Sequence, residues 1–281
     1  MCNQLPSDPT SVGGIDLRKL PNLTLVQGDF RDPAGYKQYL VGAYGAFINT
    51  DFWSIYAENG GKTAQVIETE IKYGSHAIEA AKAAGVQHFV LSSSYLGSDL
   101  VEGMFTPGGL KLNELLRESG MAYTIYYSSA YWENLEHVGM VQTNQDGSIS
   151  FNLFCPDSVR QQFTSVVTVG LFVRKIFQER DRFLGKEVLN AIETHTWGDI
   201  ATRLALLSGK TITTPHMSQE AFYSDEMKQT LGMFWPSLDS LYRTSKDVYF
   251  PGTTGREVIP DLPSLEEWAR KDPFMKKVLD L

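Results

Sequence analysis

Apolar and polar residues follow a helical spacing across residues 71–84, and the rest of the predicted fold is arranged around this stretch. One side of it carries mostly small apolar residues, which lets a helix lie close to a sheet: Ala77, Ile78, Ala80, Ala81 and Ala84. Gly85 follows the last of them, where a helix end favours a residue that tolerates positive φ. The short apolar run of residues 89–91 then predicts a strand that is buried on both faces.

Further apolar runs predict three more strands, at residues 23–27, 46–48 and 123–127. Between them, Asp32 followed by Pro33 predicts the start of one helix, and residues 110–119 predict another. Strands that alternate with helices are typical of right-handed crossovers and a parallel sheet, so the expected fold class is α/β. An NQDGS turn at residues 144–148 then predicts a hairpin that leads into residues 149–154.

We expect three segments along the chain. Residues 1–22 hold three prolines and many small polar residues, which predicts a flexible N-terminal segment. Residues 23–155 form the sheet domain, and residues 156–281 form a smaller α/β lobe over the ligand-binding edge of the sheet. The elements predicted in this lobe are a helix at residues 169–178, a strand at residues 188–191 and a helix that begins near Thr196.

Polar side chains cluster where the predicted strands end. Ser92 and Ser93 follow the run of residues 89–91, and Thr50 follows the run of residues 46–48. In open α/β sheets ligands bind outside the carboxyl ends of the strands, so these hydroxyl groups are candidates for ligand contact. The alternative is that they only satisfy hydrogen bonds of the turns.

Composition excludes several classes of function. The 281 residues carry a formal net charge of -8 without an acidic or basic block, which disfavours nucleic acid as a partner. The only cysteines, Cys2 and Cys155, and five histidines without zinc-ligand spacing predict neither disulfides nor a metal site. Because no apolar run suits a signal peptide or a membrane span, we expect a cytoplasmic protein without a membrane partner.

Several long, ordered segments resemble one protein family. They are LTLVQGDFRDPAGYKQYLVGAYGAFINTDFW, EIKYGSHAIEAAKAAGVQHFVLSSS, YWENL at residues 131–135, FLGKEVLNA and LPSLEEWARKDPF. The chain is similar over these segments to the NmrA-like family, a branch of the atypical short-chain dehydrogenases that includes redox-sensing regulators, quinone reductases and isoflavone-reductase-like enzymes. The resemblance runs from about residue 23 to the C-terminus. It implies a Rossmann-like fold with a dinucleotide groove and a small-molecule pocket under the C-terminal lobe.

The chain departs from the family before residues 23–27. The family begins with a strand, a glycine-rich turn and a helix, but no G-x-G-x-x-G or G-x-x-G-x-x-G occurs in this part of the chain. Those glycines let the backbone approach the pyrophosphate, so we expect an N-terminally trimmed Rossmann-like sheet with a weakened or lost NADP site. Gly42 and Gly45 imitate part of the pattern, but they lie between a helix and the following strand.

The family's Tyr-x-x-x-Lys pair, in which the lysine helps to lower the pKa of the tyrosine, has no clear counterpart. Lys111 lies two positions beyond the place where the family's lysine aligns, and it is kept as a catalytic candidate. Tyr242 and Lys246 have the literal spacing but lie far downstream, where chance explains them better. Thr168 replaces the acidic residue that the family usually carries before its lobe helix.

The segment without a counterpart normally includes the central strand of the sheet, and its loss would leave backbone donors and acceptors unpaired. Three explanations stay open: either the sequence is a truncated gene model or splice form, or the remaining strands pair directly with one another, or another subunit supplies the strand.

We expect an oxidoreductase-derived protein that binds a small hydrophobic metabolite and whose incomplete NAD(P) site makes conventional hydride transfer doubtful. The residues that would line the weakened NAD(P) groove are Asp29, Phe30, Thr50, Phe52, Ser92 and Ser93. The residues that would wall the metabolite pocket are Trp53, Tyr126, Tyr127, Tyr131 and Trp132.

Two alternatives are open. In the first, the protein is a cofactor-independent isomerase or cyclase of secondary metabolism, in which Glu133 or His137 moves a proton if burial shifts its pKa. In the second, it is a non-enzymatic regulator that binds a protein through the C-terminal lobe. A small-molecule metabolite is the expected partner, and a homodimer is left open.

Overall fold

A parallel sheet lies at the centre of the computed structural model, which describes residues 11–12, 15–94, 106–245 and 253–281. Its strands are β1 (Gly45–Ile48), β2 (His88–Ser94), β3 (Tyr123–Ser128), β4 (Lys186–Asn190) and β5 (Thr253–Thr254). In space the order is β5, β4, β3, β2, β1, and every neighbouring pair is parallel. The predicted α/β fold with a parallel sheet is confirmed.

Six helices are used in the description that follows: α1 (Pro33–Lys37), α2 (Phe52–Glu58), α3 (Thr63–Ala83), α4 (Thr106–Glu118), α5 (Val169–Gln178) and α6 (Trp197–Ser208). One face of the sheet is covered by α3 and α4, where Ile78 and Leu112 pack with Leu91 of β2 in one apolar cluster. The other face is covered by α5, whose Phe172 packs with Tyr126 of β3. Burial on both faces explains why the central strands are continuous apolar runs.

Small residues set the distance between α3 and α4. A Cβ atom at Gly74 of α3 would lie 2.5 Å from the methyl carbons of Leu112, so only glycine allows this approach. The helix is longer than predicted, since it begins at Thr63, and it ends as predicted before Gly85, which has a φ of +74°. The predicted start of α1 is also confirmed, because the Asp32 side chain accepts a hydrogen bond from the backbone N–H of Ala34.

Smaller sheets and short helices complete the described chain. One sheet joins Ala130–Tyr131, Arg160–Thr164 and Glu193–Thr196, another joins Val141–Thr143, Ile149–Phe151 and Ile212–Thr213, and Ser11–Val12 pairs with Ile15–Asp16. The remaining α-helices are Asn134–His137, Arg180–Phe183, Gln219–Phe222, Asp225–Leu231, Trp235–Thr244, Gly255–Val258, Leu265–Ala269 and Pro273–Leu279. The 3-10 turns are Leu17–Lys19, Gln38–Leu40, Val166–Thr168 and Gly232–Phe234. The predicted hairpin is confirmed, because Val141–Thr143 and Ile149–Phe151 pair antiparallel across a turn in which Gly147 has a φ of +82°.

Residues 23–27 differ from the prediction. They form no strand, and the side chains of Leu23, Leu25 and Val26 are exposed. A strand needs a neighbour for its N–H and C=O groups, and no described strand lies beside residues 23–27 or along the outer side of β1. The strand predicted at residues 23–27 is therefore wrong for the single chain, and these residues do not pair directly with β1.

The strand predicted at residues 188–191 lies in a different place from the one expected. It was assigned to the C-terminal lobe, whereas β4 pairs along its whole length with β3 of the central sheet. Val188 and Leu189 are fully buried, as expected for a strand that is covered on both faces. The sheet thus takes strands from both sides of residue 155, and the division of the chain there stays a prediction. Within the described ranges, no helix combines the length and the hydrophobicity that a membrane crossing requires.

Candidate functional site

The carboxyl ends of the parallel strands bring polar side chains from distant parts of the sequence to one edge. Asn49 follows β1, and its side-chain amide donates to the hydroxyl of Ser92 in β2 at 3.3 Å. Ser128 ends β3, and its hydroxyl lies 2.7 Å from the hydroxyl of Tyr131. This is the sheet edge at which α/β proteins bind ligands, and Ser92 and Tyr131 of the predicted site both lie on it.

A closed hydrogen-bond network lies below this edge, around the side chain of Asn190 at the end of β4. Its amide donates to the hydroxyl of Tyr126 at 2.8 Å and to that of Thr168 at 2.9 Å, and its oxygen accepts from Thr164 at 2.7 Å. All these side chains are buried. Burial raises the pKa of Tyr126, so its hydroxyl stays protonated at neutral pH and acts as a hydrogen-bonding group.

Two other predicted pocket aromatics lie in the core. Tyr127 points to the opposite face of the sheet, where its hydroxyl accepts from Asn113 at 3.0 Å and donates to Glu187 at 3.2 Å. Trp132 is 1% exposed and packs against Trp268, with 5.5 Å between the ring centroids. These contacts fix both aromatic rings within the fold, and their role in a pocket stays a prediction.

An aromatic group joins α2 to the distant Gly232–Phe234 turn. The Trp53 ring lies 5.9 Å from the ring of Phe234 and 6.0 Å from that of Tyr56. The Tyr56 hydroxyl donates to the sulfur of Met233 at 2.6 Å. Trp53 remains 40% exposed and Phe234 38% exposed, so part of each ring faces solvent. Because α2 begins directly after β1, this aromatic pair stands next to the ligand-binding edge.

Glu133, a predicted proton-transfer residue, has a carboxylate that is held by three donors. One oxygen accepts from the Ser165 hydroxyl at 2.5 Å and from the Trp268 indole at 3.1 Å, and the other accepts from the backbone N–H of Val166 at 3.1 Å. Hydrogen bonds of this kind fix the direction of the carboxyl group. Glu133 thus links three segments of the chain, and its catalytic role stays a prediction.

The other two catalytic candidates lie outside this hydrogen-bonded region. Lys111 lies on α4, where its ammonium group pairs with Glu114 at 2.7 Å on the solvent-facing side. His137 is the last residue of the helix Asn134–His137, and its side chain lies outside what the structure describes.

The candidate cofactor residues are largely occupied by neighbours within the protein. Asp29 pairs with Arg31 at 2.5 Å, and hydrogen bonds from Arg31 hold the pKa of the Asp29 carboxyl below its usual range. Phe30 packs edge-on against Tyr36 at 6.0 Å. Phe52 stacks on Tyr56 at 6.4 Å. Ser93 is buried, and its hydroxyl has no hydrogen-bond partner among the described residues.

The strand-to-helix junction after β1 is capped by a side chain of the protein itself. The backbone N–H of Ser54 at the start of α2 lies 3.4 Å from the Asp51 carboxylate, which caps the helix. This carboxylate occupies a backbone donor that an anionic ligand at the same helix start would also use. The weakened or lost NAD(P) site stays a prediction.

Glu70 was missed by the sequence analysis. It lies on α3, and its side chain is buried against the start of α4. One carboxyl oxygen accepts a hydrogen bond from the Thr50 hydroxyl at 2.8 Å, and the other oxygen has no partner among the described residues. Its burial was predictable from helical spacing, because Glu70 lies four residues before Gly74 and seven before Ala77 and therefore on the buried face of the helix. Burial raises the pKa of this carboxyl, against a smaller opposing effect of the Thr50 hydrogen bond.

The substitution Glu70→Gln tests this buried carboxyl. A group whose pKa is raised by folding adds stability below its unfolded-state pKa, and this contribution is lost as the pH rises through the folded-state pKa. Glu70→Gln, which cannot ionise, is therefore expected to gain melting temperature over the wild type between pH 5 and pH 8. Glu68→Gln, at an exposed position of the same helix, is the control. Equal melting-temperature differences at both pH values for Glu70→Gln would contradict the assignment.

Within the described residues, no group of three or more His, Cys, Asp or Glu side chains is arranged to hold a metal ion. Cys155 is a buried free thiol. Burial raises the pKa of this thiol to about 12, so it stays protonated at neutral pH.

Solved structures with this fold bind nicotinamide dinucleotides. NmrA, a negative transcriptional regulator solved in complex with NADP, is 18% identical, with 97% of this chain and 88% of that chain covered and a TM-score of 0.66. Triphenylmethane reductase of Citrobacter sp. is 15% identical, with 91% and 83% covered and a TM-score of 0.64. The NADPH-dependent quinone oxidoreductase of Escherichia coli, solved with NADPH, is 19% identical, with 87% and 82% covered and a TM-score of 0.63.

These similarities establish the fold, and the family follows from the sequence itself. The sequence profile of the NmrA-like family matches residues 8–234, which is well over half of the chain. The match includes the central strands β1 to β4, α3 and the aromatic residues of α2. The chain belongs to the NmrA-like family.

Proposed function

We propose that this protein binds a planar aromatic metabolite at the carboxyl edge of its central sheet, and that this binding does not require NAD(P). The observation that carries the proposal is the pair formed by Trp53 and Phe234, whose rings lie 5.9 Å apart and are both partly exposed at this edge. Two segments that are distant in sequence thus present aromatic faces together. Aromatic rings recognise planar ligands by offset or edge-on stacking.

The polar groups next to this pair suit recognition of a ligand with few hydrogen-bonding groups. Asn49 and Ser92 offer an amide and a hydroxyl, and the Ser128–Tyr131 hydroxyl pair lies at the end of β3. Small-molecule sites typically combine apolar walls with a few convergent polar groups of this kind. Two structural neighbours are described as acting on aromatic or quinoid compounds, triphenylmethane dyes and a quinone, which supports the same ligand class here.

The state of the cofactor residues supports an incomplete NAD(P) site. The carboxylate of Asp29 is engaged by Arg31, and the hydroxyl of Thr50 is engaged by Glu70. The helix start at Asp51 is capped by its own carboxylate, and no described strand or glycine-rich turn lies on the outer side of β1. Each of these features removes a contact that a dinucleotide would use.

Calorimetric titration of the purified chain tests the proposal. Menadione, a naphthoquinone, and malachite green, a triphenylmethane dye, serve as aromatic probes. Wild-type protein is expected to bind at least one of them, and Trp53→Ala is expected to weaken that binding about fivefold, because loss of one aromatic stacking partner is worth about 1 kcal/mol. Leu206→Ala, at an 81% exposed position of α6, is the control and should bind like the wild type.

NADPH is titrated into the same preparation. Micromolar NADPH binding would contradict the incomplete site and return hydride transfer as the leading function. Absence of binding for both aromatic probes, or binding that Trp53→Ala leaves unchanged, would contradict the aromatic site. Conversion of a bound aromatic compound without any cofactor would favour the isomerase or cyclase alternative over a binding protein.

A further inference from the structure

The outer side of β1 is an open sheet edge. On its inner side β1 pairs with β2 in register from Gly45 opposite His88 to Ile48 opposite Leu91. On its outer side no described strand lies, so the backbone N–H and C=O groups that point outward have no ladder partner among the described residues. Unpaired strand edges of this kind are templates for a further strand.

The sequence around this open edge contains none of the charged residues or prolines that often prevent an edge strand from pairing. Residues 38–50 contain no charged side chain and no proline, in a chain of which 21% is charged. Tyr39, Val41 and Tyr44, which precede β1, are exposed apolar residues. Charged residues and prolines are common means by which edge strands avoid pairing, so their absence from residues 38–50 favours the addition of a further strand here.

Residues 23–27 of the same chain have a sequence typical of a β-strand but pair with no described strand. Residues 23–27 read LTLVQ, with high β-propensity, and lie in the uncharged run of residues 20–28. In the single chain they form no strand, and Leu25 is 41% exposed. An apolar segment of this kind gains both hydrogen bonds and burial if a sheet edge becomes available.

We propose that two copies of the chain form a two-fold dimer in which residues 23–27 of each copy add as a strand to the outer side of β1 of the other. Each copy supplies one acceptor edge and one donor segment, so a two-fold pair satisfies both at once. Both surfaces are uncharged, so the contact brings no like charges together despite the net charge of -8 of each chain. The dimer is independent of the aromatic site proposed above.

Light scattering after size exclusion of the full chain tests the dimer. The wild type is expected at twice the chain mass of 31.4 kDa at tens of micromolar. Leu25→Asp places a charge in the donor segment and is expected to raise the dimer dissociation constant at least about tenfold. Because Leu25 is exposed in the single chain, this variant keeps its fold, which circular dichroism checks. Leu206→Asp, at an exposed position on α6, should remain dimeric.

Hydrogen exchange read by mass spectrometry locates the contact. Amides of residues 23–27 are expected to be protected at high concentration and to lose this protection on dilution or in Leu25→Asp. A monomeric wild type overturns the proposal, and protected amides in that monomer would mean pairing within one chain. A dimer that Leu25→Asp leaves intact would place the interface elsewhere and also overturn it.

Discussion

Replacing Gly255 with alanine is expected to lower the free energy of unfolding by about 3 kcal/mol. Gly255 is buried directly after β5, and a Cβ atom there would overlap the carbonyl oxygen of Ala191 and lie 2.8 Å from its carbonyl carbon. The clash is with backbone rather than with a side chain that can rotate, so relief requires the chain beyond β5 to move away from the end of β4. Chemical denaturation of the purified variant measures the loss.

Gly170 is the matched control for this substitution. It lies in α5, and no atom lies within 4 Å of the position that a Cβ would take. Alanine is favoured over glycine in a helix by about 1 kcal/mol, so Gly170→Ala is expected to leave stability unchanged or raise it. Equal losses for the two variants would mean that the close approach at Gly255 does not hold β5 against β4.

Removing the Glu133 carboxylate is expected to cost about 3 kcal/mol, because three donors lose a charged acceptor at once. Two of them, the hydroxyl of Ser165 and the indole N–H of Trp268, belong to buried residues, where an unpaired donor is costly. Glu133→Gln keeps one acceptor oxygen and places an amide group against the other donors, so its loss should be smaller than that of Glu133→Ala. Thermal unfolding of both variants checks the order.

Glu136→Ala is the control for Glu133, since Glu136 is exposed and lies on the helix Asn134–His137, which directly follows Glu133. It should unfold like the wild type. The Glu133 variants also distinguish a structural role of this carboxyl group from the predicted role in proton transfer. A Glu133→Gln protein with wild-type stability that has lost turnover of a bound compound would favour proton transfer and contradict the structural role.

Local sequence patterns correctly predicted those elements whose structure depends on residues close together in the sequence. The small-residue face of α3, the Asp32 cap of α1 and the NQDGS hairpin depend on neighbours within a few positions, and each is present as expected. The strand predicted at residues 23–27 failed for the opposite reason. Its apolar pattern is correct for a strand, but a strand forms only if another strand lies beside it, and sequence pattern does not contain that information.

In the candidate site, the positions of the side chains were likewise predictable from local sequence, whereas their contacts were not. The strand-end positions of Ser92 and of the aromatic residues that follow β1 were predictable from the end of each apolar run. The partners that occupy these side chains were not, because they come from distant segments: Glu70 for Thr50, Phe234 for Trp53 and Trp268 for Glu133. The placement of β4 beside β3 was missed for this reason too, since about sixty residues separate the two strands.

The membership of β4 and β5 in the central sheet has a consequence for biosynthesis. When the ribosome has completed residue 155, only three of the five described strands of the central sheet exist, and the edge of β3 that pairs with β4 still has unpaired backbone N–H and C=O groups. β4 (Lys186–Asn190) and β5 (Thr253–Thr254) follow later in the sequence, so the described sheet is complete only when both have been synthesised. Until both strands have been synthesised the nascent polypeptide carries an open sheet edge, so a translational pause or premature stop before them is expected to favour aggregation.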